Sequence, residues 1–520
     1  MAKETVIVFD FGSQYAHLIA RRIRELKVYS EIVPFDVSLE RVKSLKPVGV
    51  VFSGGPDSVY VANAPIPRKE VVDWILGENI PTLGICYGHQ LLALILGGRV
   101  KRGVKGEYGY TVLEVLRSNE LFQKTPKRQI VWMSHRDAVV EPPPASIVLA
   151  KTANTPVAAF KLREKPIYCV QFHPEVRHTK YGLKILENFL YSVCKCKGLW
   201  SLTNIAQEIV KDLRRTVKDG NVLIAVSGGI DSTTTACLMK EAIGPERVHL
   251  VVIDTGLLRE GEAEKARELY EKLGFKYVHL VDARKTFLER LKGVTDPEEK
   301  RRIISETYFW VLDEKARELS MKYGPFKYMA QGTIYPDRVE SGATGRSTAR
   351  IKSHHNVVLA HLSSLKKVEP LKDLYKDEVR RLASSIGIPR EVVVKHPFPG
   401  PGLAIRVIGE VTEEKLRILR KVDEIVEEEF KKAGLYEQVW QAFPVLLPFK
   451  TVGVMGDERT YRYAIAIRVV VSEDAMTAEF AKLPWSLLER ISTRIVNEVE
   501  EVNRVLYDIT NKPPATIEFE

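Results

Sequence analysis

Apolar β-forming runs that stop in a glycine turn and restart as a helix recur along this chain, and that alternation constrains the fold more than any other feature. "TVIVFDFG" precedes "HLIARRIREL", "IPTLGIC" precedes "YGHQLLALILGG", and "VLIAVSGGIDS" precedes "TTTACLMK". The first member of each pair is continuous in Val, Ile, Leu or Phe, as a buried strand is, and the second has helical spacing. Such alternation predicts parallel sheets with helices on both faces. Ligands of open parallel sheets bind beyond the carboxyl ends of the strands. The polar residues of "FSGGP", "DTGLL" and "QGTIYP" fall there.

Length and punctuation divide the pattern. A chain of 520 residues has room for about three domains. The first α/β unit closes near Cys194–Leu199, so it spans 1–199. A second opens with the helix-like "NIAQEIVKDLRRTVKDG" and spans 200–395. "HPFPGPGLAIR" is too rich in Pro and Gly for a regular element and marks the junction to a third, 396–520. There "VTEEKLRILRKVDEIVEEEFKKAG" reads as a helix, with Thr412 as N-cap and Gly434 as stop. "YRYAIAIRVV" alternates as a strand, and "LLERISTRIVNEVEEVNRVLYDI" reads as a second long helix. The expected fold class is α/β: two doubly wound parallel-sheet domains followed by a smaller α+β C-terminal domain.

Composition excludes several classes. No apolar run reaches the ~18 residues of a membrane span, and with "MAKET" leading straight into a strand no cleavable signal is expected. Five cysteines, Cys86, Cys169, Cys194, Cys196 and Cys237, form no regular disulfide framework; the expectation is a reduced, cytoplasmic protein. The formal charge of +11 suits anionic partners. With no basic arm, aromatic platform or nucleic-acid motif, nucleotides are expected rather than nucleic acid.

Two constellations carry chemistry. In "GICYGHQ", Cys86 lies between a strand and a helix with Gly84 and Gly88 on either side, the spacing of a nucleophile elbow. The helix N-terminus favours a thiolate. "YCVQFHPE" supplies His173 as base, and Glu175, two residues on along an extended backbone, points the same way to orient it. Backbone N–H groups of Gly54, Gly55 and Tyr87 are candidates for an oxyanion hole. A lone cysteine is usually a buried apolar residue; it is the combination that points to catalysis. The second constellation is Ser227-Gly228-Gly229-Ile230-Asp231-Ser232-Thr233, a strand–loop–helix turn without the lysine of the ordinary nucleotide triphosphatase loop. Its backbone N–H groups and the hydroxyls of Ser227, Ser232 and Thr233 suit a phosphate group at a helix N-terminus, and Asp231 has the carboxylate that Mg²⁺ takes beside phosphate oxygens.

"FSGGP", "GICYGHQ" and "FHPE", in this order, resemble a class I (triad) glutamine amidotransferase. The resemblance implies that Cys86 attacks the glutamine amide, that His173 serves the departing ammonia and then water, and that Gln90 contacts the bound glutamine. Arg136 in "MSHRDAV" stands where that family usually has Gly. "SGGIDS" resembles the loop of the N-type ATP pyrophosphatases, which implies ATP cut between its α and β phosphates and an adenylyl intermediate. The remainder, through "TDPEEKRRII", "QGTIYPDRVES", "IKSHHNV", "KHPFPGPGLAIR", "VGVMGDERTY", "DAMTAEFAKLPW" and "NKPPATIEFE", resembles the GMP synthetase family. That resemblance implies amination of XMP to GMP with glutamine and ATP, a Mg²⁺ requirement and a homodimer formed through 396–520. It also implies a mobile lid carrying Asp337, Glu340, Lys352, His354 and His355, and XMP contacts from Arg301, Gln441, Lys512 and Glu518. Val357-Val358-Leu359-Ala360 departs from the family's Val-Gly-Gly-Leu, and Phe519 replaces its usual Trp. The rivals are another amidotransferase or another pyrophosphatase-loop enzyme, such as an NAD or argininosuccinate synthetase, against which the C-terminal motifs argue, and a nucleic-acid-binding protein, which leaves Cys86, His173 and Glu175 unexplained.

Overall fold

The computed structural model describes residues 4–520 except 14, 57, 62, 344–359, 456 and 473–476. The chain divides into two compact units, Met1–Ile205 and Ala206–Glu520. No helix among the described residues is long and apolar enough to cross a membrane.

The first unit is built on nine strands: β1 (Thr5–Asp10), β2 (Tyr29–Pro34), β3 (Pro47–Phe52), β4 (Thr82–Ile85), β5 (Arg99–Val115), β6 (Arg128–Glu141), β7 (Ser146–Lys151), β8 (Ala159–Leu162) and β9 (Ile167–Val170). Their order is β2-β1-β3-β4-β9-β8-β7-β5-β6. The first five run parallel, as the alternation predicts. The other four extend the sheet antiparallel, because no helix intervenes between Arg99 and Val170 to carry a parallel crossover. The parallel strands are almost wholly buried, and Phe9, Phe11 and Phe52 stack in the core beside them, with Tyr87 tilted against Phe11.

The second unit holds two sheets. One is parallel, from β10 (Asn221–Ala225), β11 (Val248–Asp254), β12 (Tyr277–Asp282), β13 (Phe326–Ala330) and β14 (Lys366–Val368), in the order β12-β11-β10-β13-β14. The other pairs the long strands β15 (Gln441–Met455) and β16 (Glu458–Val471) antiparallel, adds the short β17 (Glu479–Phe480), and adds β18 (Val502–Asp508) parallel to β16. One hydrophobic cluster runs through both sheets, from Leu223 to Val502.

The helix Glu413–Lys432 begins and ends as its sequence predicts: the Thr412 side chain accepts from the Lys415 N–H, and Gly434 takes φ +66°. The second long helix does not. It stops at Glu498, and "VNRVLYD" is a strand, β18. Helical periodicity ends there, and an alternation fitting a sheet with one buried face takes over.

Candidate active sites

Cys86 follows β4 with φ +52° and ψ −101° and opens the helix Tyr87–Ile95. A side chain held at positive φ is strained, and such strain persists only where its surroundings enforce it. The Cys86 N–H donates to Val170 O at 2.9 Å, and the Gly88 N–H to Ser53 O at 3.1 Å. A Cβ on Gly88 would lie 2.2 Å from Phe52 O, so only glycine lets the helix start press this closely on the end of β3.

Beyond β9, His173 Nδ1 lies 2.7 Å from Glu175 Oε1, both side chains buried. Thr179 Oγ1 donates to His173 O at 2.6 Å, and Arg22 Nε to Glu175 O at 3.1 Å, which fixes the backbone on both sides of the pair. The Cys86 thiol is within hydrogen-bonding reach of the same imidazole. Burial pulls the His173 pKa down, but the Glu175 carboxylate and the Cys86 sulfur outweigh it and hold it well above its ordinary value. Cys86, His173 and Glu175 are thus brought together in the order nucleophile, base and orienting carboxylate.

A Cβ on Gly54 would stand 3.2 Å from His173 Cε1, and one on Gly55 3.1 Å from Tyr87 Cγ, which places this turn against the elbow. Gly55, Cys86, Tyr87, Gln90 and His173 line a cavity of about 830 Å³, with Arg136 exposed at its edge. Gln90 Nε2 donates to Asp137 O at 2.7 Å and to Gln171 Oε1 at 3.2 Å. The Ser134 carbonyl lies 3.7 Å from Cys86 Sγ. Sequence reasoning misses it, because in "MSHRDAV" only Arg136 stands out.

In the second unit the loop after β10 turns through Gly228 at φ +71° into the helix Ile230–Ile243. Ser232 Oγ and Thr233 Oγ1 donate to Gly229 O at 3.1 and 2.8 Å. The hydroxyl of fully buried Tyr270 accepts the Gly228 N–H at 3.3 Å and lies 3.0 Å from Thr233 Oγ1. Tyr270 fastens the loop from behind; "RELYEKL" gives no sign of that in one dimension. Asp231 Oδ2 is bonded to Lys376, and its Oδ1 is buried without a hydrogen-bond partner. Burial and the Asp231 charge raise the Asp337 carboxyl above its ordinary value, against the Ile334 N–H and Lys376. A divalent cation relieves two mutually repelling carboxylates, and one or two carboxylates are what Mg²⁺ takes beside phosphate oxygens. The site therefore fits the ion. Glu340 falls in the helix Tyr335–Ala343 with Asp337; Lys352, His354 and His355 lie outside the described residues.

Gln441 and Glu518 also meet: Gln441 Nε2 donates to Glu518 Oε1 at 2.9 Å. The fully buried Arg406 grips the same carboxylate, Nη2 to Oε1 at 2.9 Å and Nε to Oε2 at 3.1 Å. Arg301 donates to Glu520 O, while Lys512 pairs through its backbone with Ala478. Lys300, 0% exposed at its side chain, bonds Glu520 and donates to Val407 O at 2.8 Å. Arg406 and Lys300 lie inside "KHPFPGPGLAIR" and "TDPEEKRRII", but no linear pattern announces a buried cation.

Comparison with known proteins finds relatives along the whole chain. Residues 7–193 match the model of class-I glutamine amidotransferases, 202–302 that of NAD synthase, and 428–519 that of the GMP synthase C-terminal domain. The chain is 50% identical to the GMP synthase (glutamine-hydrolyzing) of Aquifex aeolicus, covering 100% of both chains. It is 51% identical to the protein of that name from Caldanaerobacter subterraneus, covering 100% of this chain and 99% of the relative. The crystal structure of a glutamine amidotransferase from Thermotoga maritima matches 37% of this chain and 98% of its own, at 20% identity and a TM-score of 0.31.

Proposed function

This chain belongs to the glutamine-hydrolysing GMP synthase family, and on that premise we propose how its residues divide the work. His173 takes the thiol proton and Cys86 attacks the side-chain amide of glutamine. The N–H groups of Gly55 and Tyr87 steady the developing oxyanion. His173 passes its proton to the departing ammonia, and the Cys86 thioester is then opened by water that His173 activates. Glu175 keeps the imidazole oriented and charged when it must be.

The ammonia is consumed at a second site. There O2 of XMP attacks the α-phosphorus of ATP, and ammonia displaces AMP from C2. The loop Ser227–Thr233 and Lys376 hold the leaving pyrophosphate. Asp231 and Asp337 are the residues that would hold Mg²⁺, which when bound neutralises the phosphate charge. Gln441 and Glu518, with Arg301 and Lys512, are assigned to XMP. Glu518, clamped by Arg406, suits ribose hydroxyls or base N–H groups. The lid role of Asp337, Glu340, Lys352, His354 and His355, a homodimer and a cytoplasmic location complete the reading. Exposed apolar residues on β15 and β16, among them Phe449, Val452, Val454 and Tyr461, support a covered face there.

The observation that carries the reading is the His173–Glu175 contact of 2.7 Å beside a cysteine held at φ +52°. The test is product analysis with glutamine, ATP, Mg²⁺ and XMP. GMP, AMP, pyrophosphate and glutamate in equal amounts are expected; ADP in place of AMP, or XMP left unconsumed, refutes it.

A further inference from the structure

We propose that Glu107, behind the cavity wall, is a positioning residue for glutamine: it sets the place of Ser134–Asp137 through His135. The proposal deepens the glutaminase reading and rests on it.

The wall needs an external hold. β5 and β6 pair antiparallel, but the ladder breaks beside the cavity. Arg102 pairs with Asp137, and the next pair is Glu107 with His135, so residues 103–106 of β5 stand opposite Arg136 alone. A bulge of this kind removes ladder hydrogen bonds where it occurs. Ser134, His135, Arg136 and Asp137 all line the cavity, so the interruption falls in its wall.

Glu107 supplies the hold. The residue is 5% exposed. Thr152 Oγ1 donates to Oε1 at 2.7 Å, Thr155 Oγ1 to Oε2 at 2.6 Å, and His135 Nε2 lies 3.3 Å from Oε2. Burial opposes the charge, but these three partners win and hold its pKa down to about 2. It is therefore ionised at every working pH. The two threonines fix this buried carboxylate, and its contact with His135, whose Nε2 makes no hydrogen bond, is an ion pair to the charged form of the ring. The other ring nitrogen of His135 is 2.9 Å from Asp137 O, the carbonyl that also receives Gln90 Nε2. One residue before His135, the Ser134 carbonyl faces Cys86 Sγ. Through His135, Glu107 thus reaches the Asp137 carbonyl that receives Gln90, the glutamine end of the wall, without entering the cavity. Cys86 and His173 follow other strands, β4 and β9; the His173 N–H also donates to Trp132 O of β6 at 3.0 Å, but neither residue bonds Glu107 or His135.

The consequence is a split between binding and chemistry. In full-length Glu107→Gln, which keeps the shape but loses the charge facing His135, KM for glutamine should rise about tenfold or more. The glutamine-dependent kcat should stay within about twofold, and ammonia-dependent GMP formation should not change. Alkylation of Cys86 by iodoacetamide at the parent rate would show the elbow intact. An unchanged KM overturns the proposal. So does a fall in kcat at constant KM, or slowed alkylation, since either would place the effect on the nucleophile. If Glu107→Gln does not fold, Thr155→Val, which removes one donor to the same carboxylate, carries the test: its KM should rise about two- to fivefold, and no rise overturns the proposal. Cys86→Ala is the separate control. If it retains glutamine-dependent synthesis, the glutaminase reading itself fails, whatever Glu107 does.

Discussion

Replacing Glu175 by Gln isolates the part of the glutaminase that depends on charge. The change keeps the size of the side chain and an oxygen able to accept from His173 Nδ1, now at 2.7 Å from Oε1. Two things are lost. The first is the charge that holds the imidazole above its ordinary pKa against burial. Removing one partner of a buried pair costs about 3–5 kcal/mol, and the retained hydrogen bond argues for the low end. About 3 kcal/mol of lost imidazolium stabilisation is roughly a hundredfold at 1.36 kcal/mol per tenfold. The second loss comes from Oε2, which is buried without a hydrogen-bond partner. An amide NH₂ in its place is an unsatisfied donor, costing about 1–3 kcal/mol of stability. We expect glutamine-dependent kcat to fall about 10²-fold, ammonia-dependent synthesis to persist, and thermal stability to drop. The stability gap has a definite pH sign. A folded-state histidine pKa above the unfolded value of about 6.5 stabilises fully below that value and is lost as pH rises through the raised one. The gap between parent and variant should therefore narrow in alkali. Steady-state glutamate release and thermal melts across pH are the assays. Activity within about threefold of the parent, or a gap that widens with pH, would refute the assignment of Glu175.

Asp231→Ala should stop both glutamine- and ammonia-dependent synthesis, because it removes the carboxylate whose Oδ1 is buried and unpartnered; AMP release at the parent rate would count against that role. Gly88→Ala should cost at least tenfold in glutamine-dependent activity and leave ammonia-dependent synthesis intact, since the new Cβ would sit 2.2 Å from Phe52 O and something must shift. Glu518→Gln should raise KM for XMP about tenfold without moving KM for ATP, measured by initial rates; equal effects on the two would remove Glu518 from the XMP site. Sedimentation at micromolar concentration should give the mass of two chains, and a single-chain mass would refute the dimer.

Local chemistry makes part of this legible in one dimension. Cys86, Gly88 and the loop Ser227–Thr233 are constrained by neighbours along the chain: a strand end, a tight turn and a helix start each have residue preferences that a short window contains. His173 and Glu175 do pair, but not on the extended backbone expected: β9 ends at Val170, and Pro174 and Glu175 lie in a turn that brings the carboxylate back to the ring. The antiparallel half of the first sheet is not legible, because strand partners are chosen by contacts across the sheet. "VNRVLYD" reads as helix because "LLERISTRIVNE" before it is strongly helical, and the change of period is only a few residues long. Tyr270, Glu107 and Lys376 escape for one reason: each meets its partner across a large sequence separation, and nothing beside it in the chain marks the meeting.

The last residues of the chain show how such long-range pairing can hold a segment that sequence alone would leave frayed. "KPPATIEFE" has few apolar residues, and a short tail is ordinarily mobile. Yet three cations with no exposed side-chain surface close on it or on the chain leading to it. Arg406 takes the Glu518 carboxylate, Lys300 takes that of Glu520, and Arg468 donates to Thr516 O at 3.0 Å and pairs with Asp508 at 3.0 Å. Burying a cation without a counter-charge is prohibitive, whereas a buried and hydrogen-bonded pair is tolerable. The core around Arg406 and Lys300 therefore requires the tail as much as the tail requires the core. Arg406 also lies over the Phe443 ring at 4.1 Å and near Asp423, which in turn receives Arg259 Nε at 2.6 Å. A continuous line of paired charges thus runs from the loop after β11, through the helix Glu413–Lys432, to Glu518. Such pairs add little net stability compared with apolar packing of the same volume. What they give is one defined geometry: Glu518 can stand in only one place relative to Gln441, and the loop after β11 is tied to the same frame. In the proposed reaction, where an oxygen of one nucleotide meets the phosphorus of another, fixing that frame matters more than the stability forgone.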